Sequence, residues 1–495
     1  MIRPLLTFAA AALALSACQS VAPIDAPAQS VAETIEPADP YAAMAVTVHD
    51  GDFAEIQQFT TPGGVSVWLV SEPSIPILSV QMAWNAGSVN DPDGLEGLSD
   101  AVAYQMNEGA GDLDALAFQR RMEELNMSFG CSASNDWTGC SATMLTDNAS
   151  DAMDLVALAF TDPRFDEGPF ERHRREDLVS INQRETQPRY LAAEALETAL
   201  YPDHVYARDI SEASVNARTR ALALAHKDRL MTRDRLLVTA VGAMSPAELA
   251  PLVDAAVSQL PESAEPASFD TIILPEAAAD PIIVSLPQPQ SLVRFVAPGP
   301  ARDHLDFFAA TVLNYTVGGG GFESRMMKTL RVEKGLTYGV GTGLTWTSNY
   351  LKTWSGSGQT KNESAGEFVA GVKDELSKVA EAGITAEELA DAKAYIIGSY
   401  PLGFDSNAKI AGNMMSVRQQ VLGIDYFDRR NAAIAAVTLE DANRVAAEWL
   451  SPENFTFVVV GEPQGIPSPS TGPGTGPVTS PSTNTSNSSA EDGPA

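Results

Sequence analysis

The sequence predicts an α+β fold built from two homologous domains, and three observations lead to that reading. The chain is 495 residues long, too long for one ordinary domain and suited to two large ones. A succession of strand-like and helix-like segments recurs in the same order across its middle. Within each copy, strands and helices mix without the strict alternation that marks a doubly wound parallel sheet. An apolar share of 44% and a charged share of 19% supply a sizeable core and exclude disorder along the whole length.

The repeat is carried by short blocks. Residues 235–242 read RLLVTAVG and 454–461 read NFTFVVVG, both β-rich runs ending in glycine and offset by 219 residues. The helical segment before each matches at that offset, Leu230 with Trp449 and Met231 with Leu450, and YLAAEAL at 190–196 lies over KIAGNMM at 409–415. Ser128-Phe129-Gly130 lies over Thr337-Tyr338-Gly339 at an offset of 209, a change that one loop longer by ten residues explains. Order and spacing together identify a duplication. The domains are therefore placed at 46–262 and 283–462, joined by a Pro-, Ala- and Glu-rich linker at 263–282. In the first domain, residues 65–70 and 78–84 read as strands. Ser245 with Glu248, and Thr385 with Glu388, have the capping-box spacing that starts a helix, and Pro246 suits the first helical position.

The chain begins MIRPLLTFAAAALALSACQS. Arg3 supplies a positive flank and residues 5–17 an apolar run of thirteen, short of the roughly twenty needed to cross a bilayer. This reads as a signal peptide over residues 1–17. Leu15-Ser16-Ala17-Cys18 resembles the lipobox of bacterial lipoproteins, which implies cleavage before Cys18 and its acylation. Gln19 is not the aspartate associated with inner-membrane retention, so the expected address is the outer membrane, facing the periplasm. An ordinary secretory signal with a chance cysteine is the alternative. Residues 18–45 read as a flexible tether, and 463–495, rich in Pro, Ser, Thr and Gly, as a disordered tail.

Charge and cysteine content narrow the function. The 32 basic residues against 64 acidic ones give a net charge of −32. Such a surface repels phosphate backbones and excludes a nucleic-acid-binding role. It also raises the expectation of cationic peptide substrates through long-range attraction, although a saline habitat would produce the same charge. Three cysteines do not make a disulfide scaffold. Cys131 and Cys140 stand symmetrically about Asn135-Asp136, a two-residue hairpin turn that would set them opposite each other. In an exported protein they form either a disulfide or two buried thiols.

No nucleophile elbow or phosphate-binding Walker loop occurs, and Ser99 in GLSDA is not a nucleophile motif. The four glycines 318–321 lack the Lys and Ser/Thr partners of a phosphate loop and suit a close backbone approach instead. Among the five histidines no two are three or four residues apart, and His173 lies in a charged helical run that reads as a solvated face. Asp91, Asp93, Glu96 and Asp100 read as a solvated acidic loop rather than a cation site.

Two passages resemble the pitrilysin/insulinase family of zinc peptidases: AWNAGSVNDPDGLEGLSDAVAYQMNEGA at 83–110 and LNYTVGGGGFESRMMKTLRVEKGLTYGVGTG at 313–343. QRETQPRYLAAEALETALYPDHVYA at 183–207 extends the match. The resemblance implies two related insulinase-like α/β domains closing a clam-shell chamber. Active members carry an inverted zinc motif, H-x-x-E-H, in the first passage. Here Asp100 takes the first histidine's place, Ala103 that of the catalytic glutamate and Tyr104 that of the second histidine, and the distal glutamate ligand falls near Asn182. Alanine cannot take a proton from metal-bound water. The resemblance also implies a peptide-holding Arg/Tyr pair, which survives as Arg331 and Tyr338.

The expectation is thus a non-catalytic subunit of a heteromeric envelope metalloendopeptidase, with no cofactor of its own. Its partner would be a paralogous subunit with an intact H-x-x-E-H, which would carry the zinc. The alternative is a non-proteolytic peptide-binding or envelope assembly protein.

Overall fold

The β-branched runs of the sequence are strands, and they assemble into two sheets with one shared internal order. A computed structural model describes residues 39–51, 53–265, 269–345 and 348–467. The signal sequence, Cys18, most of the tether and nearly all of the tail lie outside the described residues. The first half contributes β1 (Val46–Asp50), β2 (Glu55–Thr60), β3 (Ser66–Ser71), β4 (Ile77–Trp84), the short β5 (Gly109–Ala110) and β6 (Leu113–Asp114), β7 (Ser128–Ala133), β8 (Thr138–Leu145) and β9 (Leu236–Gly242). The second contributes β10 (Ile282–Ser285), β11 (Gln290–Pro298), β12 (Thr337–Thr345), β13 (Thr353–Lys361) and β14 (Thr456–Gly461).

The first sheet runs β1-β2-β3-β9-β4-β8-β7 and the second β10-β14-β11-β13-β12. In both, the last strand of the half returns to lie between two earlier strands, β9 between β3 and β4 and β14 between β10 and β11. β9 is parallel to β3 and antiparallel to β4, and β14 is parallel to β10 and antiparallel to β11. The blocks RLLVTAVG and NFTFVVVG are therefore one strand in two copies. β7 and β12, which carry the Ser-Phe-Gly and Thr-Tyr-Gly blocks, are the matching edge strands.

One face of each sheet packs on helices of its own half. Trp84, Phe118, Phe160 and Val238 are in the first core, and Phe295, Trp354, Phe368 and Phe457 in the second. The opposite faces are covered by exchange. Helix Pro188–Leu200, from the first half, lays Ala192, Leu196 and Leu200 on Leu292, Val296, Val458 and Val460 of the second sheet. Helix Asn407–Gln419, from the second half, lays Ala411, Met414 and Val417 on Trp68, Val70 and Val241 of the first. Hydrogen bonds fix the second helix: Asn407 Nδ2 donates to the Ile77 carbonyl at 2.9 Å, Thr239 Oγ1 to the Ala411 carbonyl at 2.8 Å, and the Arg418 guanidinium to the Ser66 and Val238 carbonyls. These two helices are the YLAAEAL and KIAGNMM blocks of the repeat. The reciprocal cover makes the described residues from Pro40 one compact unit rather than two separable lobes.

Local signals agree with the structure where they are strong. Ser245 and Glu248 close a capping box with Pro246 inside the first turn, and Thr385 and Glu388 close another. The β7–β8 hairpin turns at Asn135-Asp136, with Ser134 N–H donating to the Trp137 carbonyl at 2.8 Å. That register sets Cys131 opposite Cys140, and a disulfide joins them. Among the described residues no helix is long and apolar enough to cross a membrane.

Candidate functional site

The first candidate site is built on the short helix Leu98–Gln105, whose start is fixed by a buried carboxylate. Asp91 accepts from the Gly97 and Ser99 N–H groups at 2.7 and 2.8 Å, supplying the cap that no local side chain provides. Gly97 adopts φ 80°, and any side chain there would collide with the Arg218 guanidinium. Ser99 Oγ lies 2.5 Å from Asp91 Oδ1 and 2.9 Å from His226 Nε2. This Ser-His-Asp trio is no nucleophile: all three side chains are buried, and serine and histidine converge on the same aspartate oxygen. The remaining acids of the loop are also engaged, Asp93 with Arg208 and Glu96 with the Gly94 N–H. They do not converge on a cation.

One turn into the helix stand the residues of the altered zinc motif. Ala103 is buried and offers no donor. The Tyr104 ring stacks on the His173 imidazole with centroids 4.3 Å apart, and its hydroxyl accepts from Arg172 Nε at 3.2 Å. Arg172 also pairs with Glu108 at 2.7 Å, and these two partners raise its pKa above the usual arginine value. His173 Nε2 lies 3.5 Å from Asp100 Oδ2 and 3.7 Å from Asp177 Oδ2. Asp177 is bound by Arg218 Nη1 at 2.5 Å, with side chains only 14% and 3% exposed. Arg218 Nη2 donates to the Glu96 carbonyl at 2.6 Å.

His173, Asp177 and Arg172 all come from the long helix Glu167–Arg184. His173 is 7% exposed, which corrects its reading as a solvated residue. Within the charged run ERHRRED, Arg172 and His173 reach Tyr104 and Asp100 of the motif helix and Asp177 pairs with Arg218, while Arg175 and Glu176 face outward. Asn182 lies on the same helix but is exposed, and its Nδ2 donates to the Leu178 carbonyl of its own turn at 2.9 Å. The structure therefore brings Asp100 and Tyr104 together with His173 and Asp177, not with Asn182. His173 and Asp177 are one helical turn apart, so the ligand-like spacing is present in the sequence as a His-Asp pair rather than a His-His pair.

This donor set does not fit the zinc chemistry that the motif's location implies. Asp100, His173 and Asp177 do place one donor atom each within 4.8 Å of one another. However, a buried guanidinium already neutralises Asp177, the second imidazole position is a stacked phenol, and no carboxylate stands where the general base belongs. Arg218 supplies from inside the fold the positive charge that a metal would bring.

The second candidate site lies on the other sheet. The glycine run is framed by two π-helical turns, Tyr315–Gly319 and Met327–Glu333, and Arg331 is carried on the second. Such turns are rare and frequent at functional sites. Gly318 passes so close to Thr342 of β12 that a side chain would strike the strand. Arg325 clamps the segment through a two-pronged bond to Glu388, both contacts 2.6 Å, and holds that carboxyl down at about 2. Arg331 and Tyr338 line one cleft of ≈ 330 Å³ with Gln290, Gln359 and Lys361. Arg331 rests over the Phe322 ring at 4.5 Å and, among the described residues, makes no ion pair or hydrogen bond. Tyr338 is 82% exposed, at a register shift between β12 and β13. Among the described residues the arginine has no carboxylate partner, and the tyrosine is not packed. The outer edge of β12 is weakly sealed, since the Val340 N–H rests on the Met327 thioether at 3.4 Å.

Comparison with known proteins places this geometry. The description "Insulinase (Peptidase family M16)" matches residues 66–214, and "Peptidase M16 inactive domain" matches residues 219–396. Together they span about two thirds of the sequence. A non-peptidase homolog, YmxG of Helicobacter pylori, is 26% identical over 66% of this chain and 76% of its own length. An uncharacterized zinc protease, YmxG of Bacillus subtilis, is 22% identical over 83% of this chain and 100% of its own. The crystal structure of a peptidase M16 inactive domain from Pseudomonas fluorescens superposes with a TM-score of 0.77 at 25% identity, covering 84% of this chain and all of that one. The chain belongs to the insulinase family of peptidases, peptidase family M16, with the two-domain insulinase-like α+β fold. Within that family its zinc motif is degenerate, with Asp100, Ala103 and Tyr104 at the motif positions, and the Helicobacter pylori relative is itself named a non-peptidase homolog.

Proposed function

We propose that this protein is the non-catalytic subunit of a two-subunit insulinase-family endopeptidase in the bacterial envelope. It binds extended peptide and presents Arg331 and Tyr338 to a reaction centre that a paralogous partner with an intact H-x-x-E-H supplies. The observation that carries this is the contrast between the two sites. The motif site is closed by Arg218, Tyr104 and Ala103, while Arg331 and Tyr338 stand unused beside an open cleft. A guanidinium and a phenol are suited to holding a peptide carbonyl as negative charge develops on its oxygen. The partner's metal would activate water; this chain's part is to bind and orient. The non-peptidase name of the Helicobacter pylori relative supports the non-catalytic half of the reading.

The resemblance of Leu15-Ser16-Ala17-Cys18 to a lipobox supports an outer-membrane address for the subunit, with acyl chains on Cys18 as its anchor. A Cys18→Ser form should leave the membrane fraction, and its retention there would refute the anchor. For the subunit reading, the full chain and a motif-bearing paralogue are assayed with a quenched fluorescent peptide library, alone and mixed, with zinc counted in each sample. Cleavage confined to the mixture is the expected result. Cleavage by the paralogue alone, unchanged on mixing, would point to a peptide-binding or assembly protein instead.

A further inference from the structure

Beside Tyr338 the cleft widens into a second space of ≈ 600 Å³, lined by Arg189, Gln290, Leu292, Arg294, Tyr338 and the Ser357–Gln359 stretch of β13. In a chain with twice as many acids as bases, this lining holds two arginines and no carboxylate. The sheet explains its shape. Arg294 on β11 shares a row with Val458 of β14 on one side, and with Ser357 of β13 and Gly341 of β12 on the other. Leu292 and Val296, flanking Arg294 on the same face, are covered by the exchanged helix Pro188–Leu200. Past Arg294 the cover ends, and the floor becomes serine and glycine, with room above it. Arg189, in the first turn of that helix, overlooks the floor.

Among the described residues neither arginine makes an ion pair or a hydrogen bond. Arg294 is half-buried, and a half-buried guanidinium without an acceptor is costly to maintain. Glu197 feels the charge of Arg294, but burial, with Asp209 beside it, pushes that carboxyl up to about 7, so it is not a firm counter-ion.

We propose that Arg189 and Arg294 form a carboxylate subsite, which receives an acidic side chain or the terminal carboxylate of a peptide lying beside Tyr338. The subsite rests on the peptide-binding reading above and deepens it. It reverses, locally, the expectation of cationic substrates drawn from net charge: the overall field is acidic, but the cleft that would touch the peptide is basic. Arginine suits this task, because its planar fork matches a carboxylate.

The test measures binding directly and needs no partner. Three fluorescent decapeptides of one sequence are titrated against the full chain by anisotropy. One carries a central Glu and an amidated end, one a central Gln and an amidated end, and one a central Gln and a free terminal carboxylate. One anionic peptide is expected to bind roughly tenfold tighter than the neutral one, and which of the two it is identifies the source of the carboxylate. Arg294→Gln and Arg189→Gln should each shrink that difference while leaving neutral-peptide binding and Tm unchanged. Arg189 is exposed, so its variant is a safe companion should Arg294→Gln disturb the sheet. Equal binding of all three peptides, indifferent to both substitutions, would overturn the subsite and leave the peptide reading standing. Failure of all three to bind would overturn both.

Discussion

Removing the Arg218 side chain should destabilise the fold well beyond an ordinary ion-pair loss. The guanidinium is 3% exposed, binds Asp177 at 2.5 Å and donates to the Glu96 carbonyl at 2.6 Å. In Arg218→Ala the Asp177 carboxylate loses its guanidinium and stays largely buried beside His173, while the Glu96 carbonyl keeps only the Ser214 hydroxyl at 3.4 Å. Breaking a buried pair in this way costs about 3–5 kcal/mol. If the described unit of roughly 420 residues unfolds as one, an unfolding entropy of about 2.1 cal/mol/K per residue converts this to a Tm loss of about 3–6 °C. Arg218→Lys keeps the charge but not the fork, and should fall between the two. The control is Arg121→Ala, whose partners Glu124 and Asp151 are more than half exposed; its shift should stay below about 1 °C. Differential scanning fluorimetry reads all four proteins. A Tm for Arg218→Ala within 1 °C of wild type would refute the reasoning that a buried guanidinium holds the altered motif site together.

Three further outcomes follow from the same geometry. Glu388→Gln removes the carboxylate that Arg325 holds down at about 2, and should cost about 2 kcal/mol at pH 7, after allowance for its partial exposure. Because the folded pKa is the depressed one, this contribution is complete above about pH 5 and fades as pH falls toward 2, so the denaturation midpoints of wild type and variant should converge in acid. Leu196→Ala and Met414→Ala, one on each exchanged helix, should each cost about 2–5 kcal/mol and lower a single unfolding transition; two separated transitions would contradict the one-unit account. Reducing the Cys131–Cys140 bond, which closes a loop of about ten residues, should cost about 2–3 kcal/mol in urea midpoint experiments.

Much of the fold was legible in the sequence because the signals were local. Capping boxes, the Asn135-Asp136 turn and the two glycine-ended strand blocks are each determined by a few neighbouring residues. The exchange of helices was not legible. The apolar residues Ala192, Leu196 and Leu200 show that a face must be covered, but not that the covering partner lies nearly a hundred residues on, in the other half. The motif site was half legible. Substitution at Asp100, Ala103 and Tyr104 is visible in the letters, but what replaced the metal is not. Arg218 reaches Asp177 across 41 residues and Glu96 across 122, separations that no periodicity reports. His173 was misread because its neighbours are charged, and composition cannot tell a solvated run from one that pairs internally. Asn182 was placed by counting along the chain, and on a helix a shift of two residues turns a side chain by more than half a turn.

The most direct test of the central claim takes the mixed complex with a motif-bearing paralogue and measures kcat/KM for one quenched peptide, using this chain as wild type, Arg331→Ala and Tyr338→Phe. Complex formation and zinc content are checked in each sample. The account predicts a loss of about 10²–10³ for Arg331→Ala, and a smaller loss for Tyr338→Phe, at unchanged zinc and unchanged assembly. Wild-type rates from both variants, or zinc-dependent cleavage by this chain alone, would contradict it.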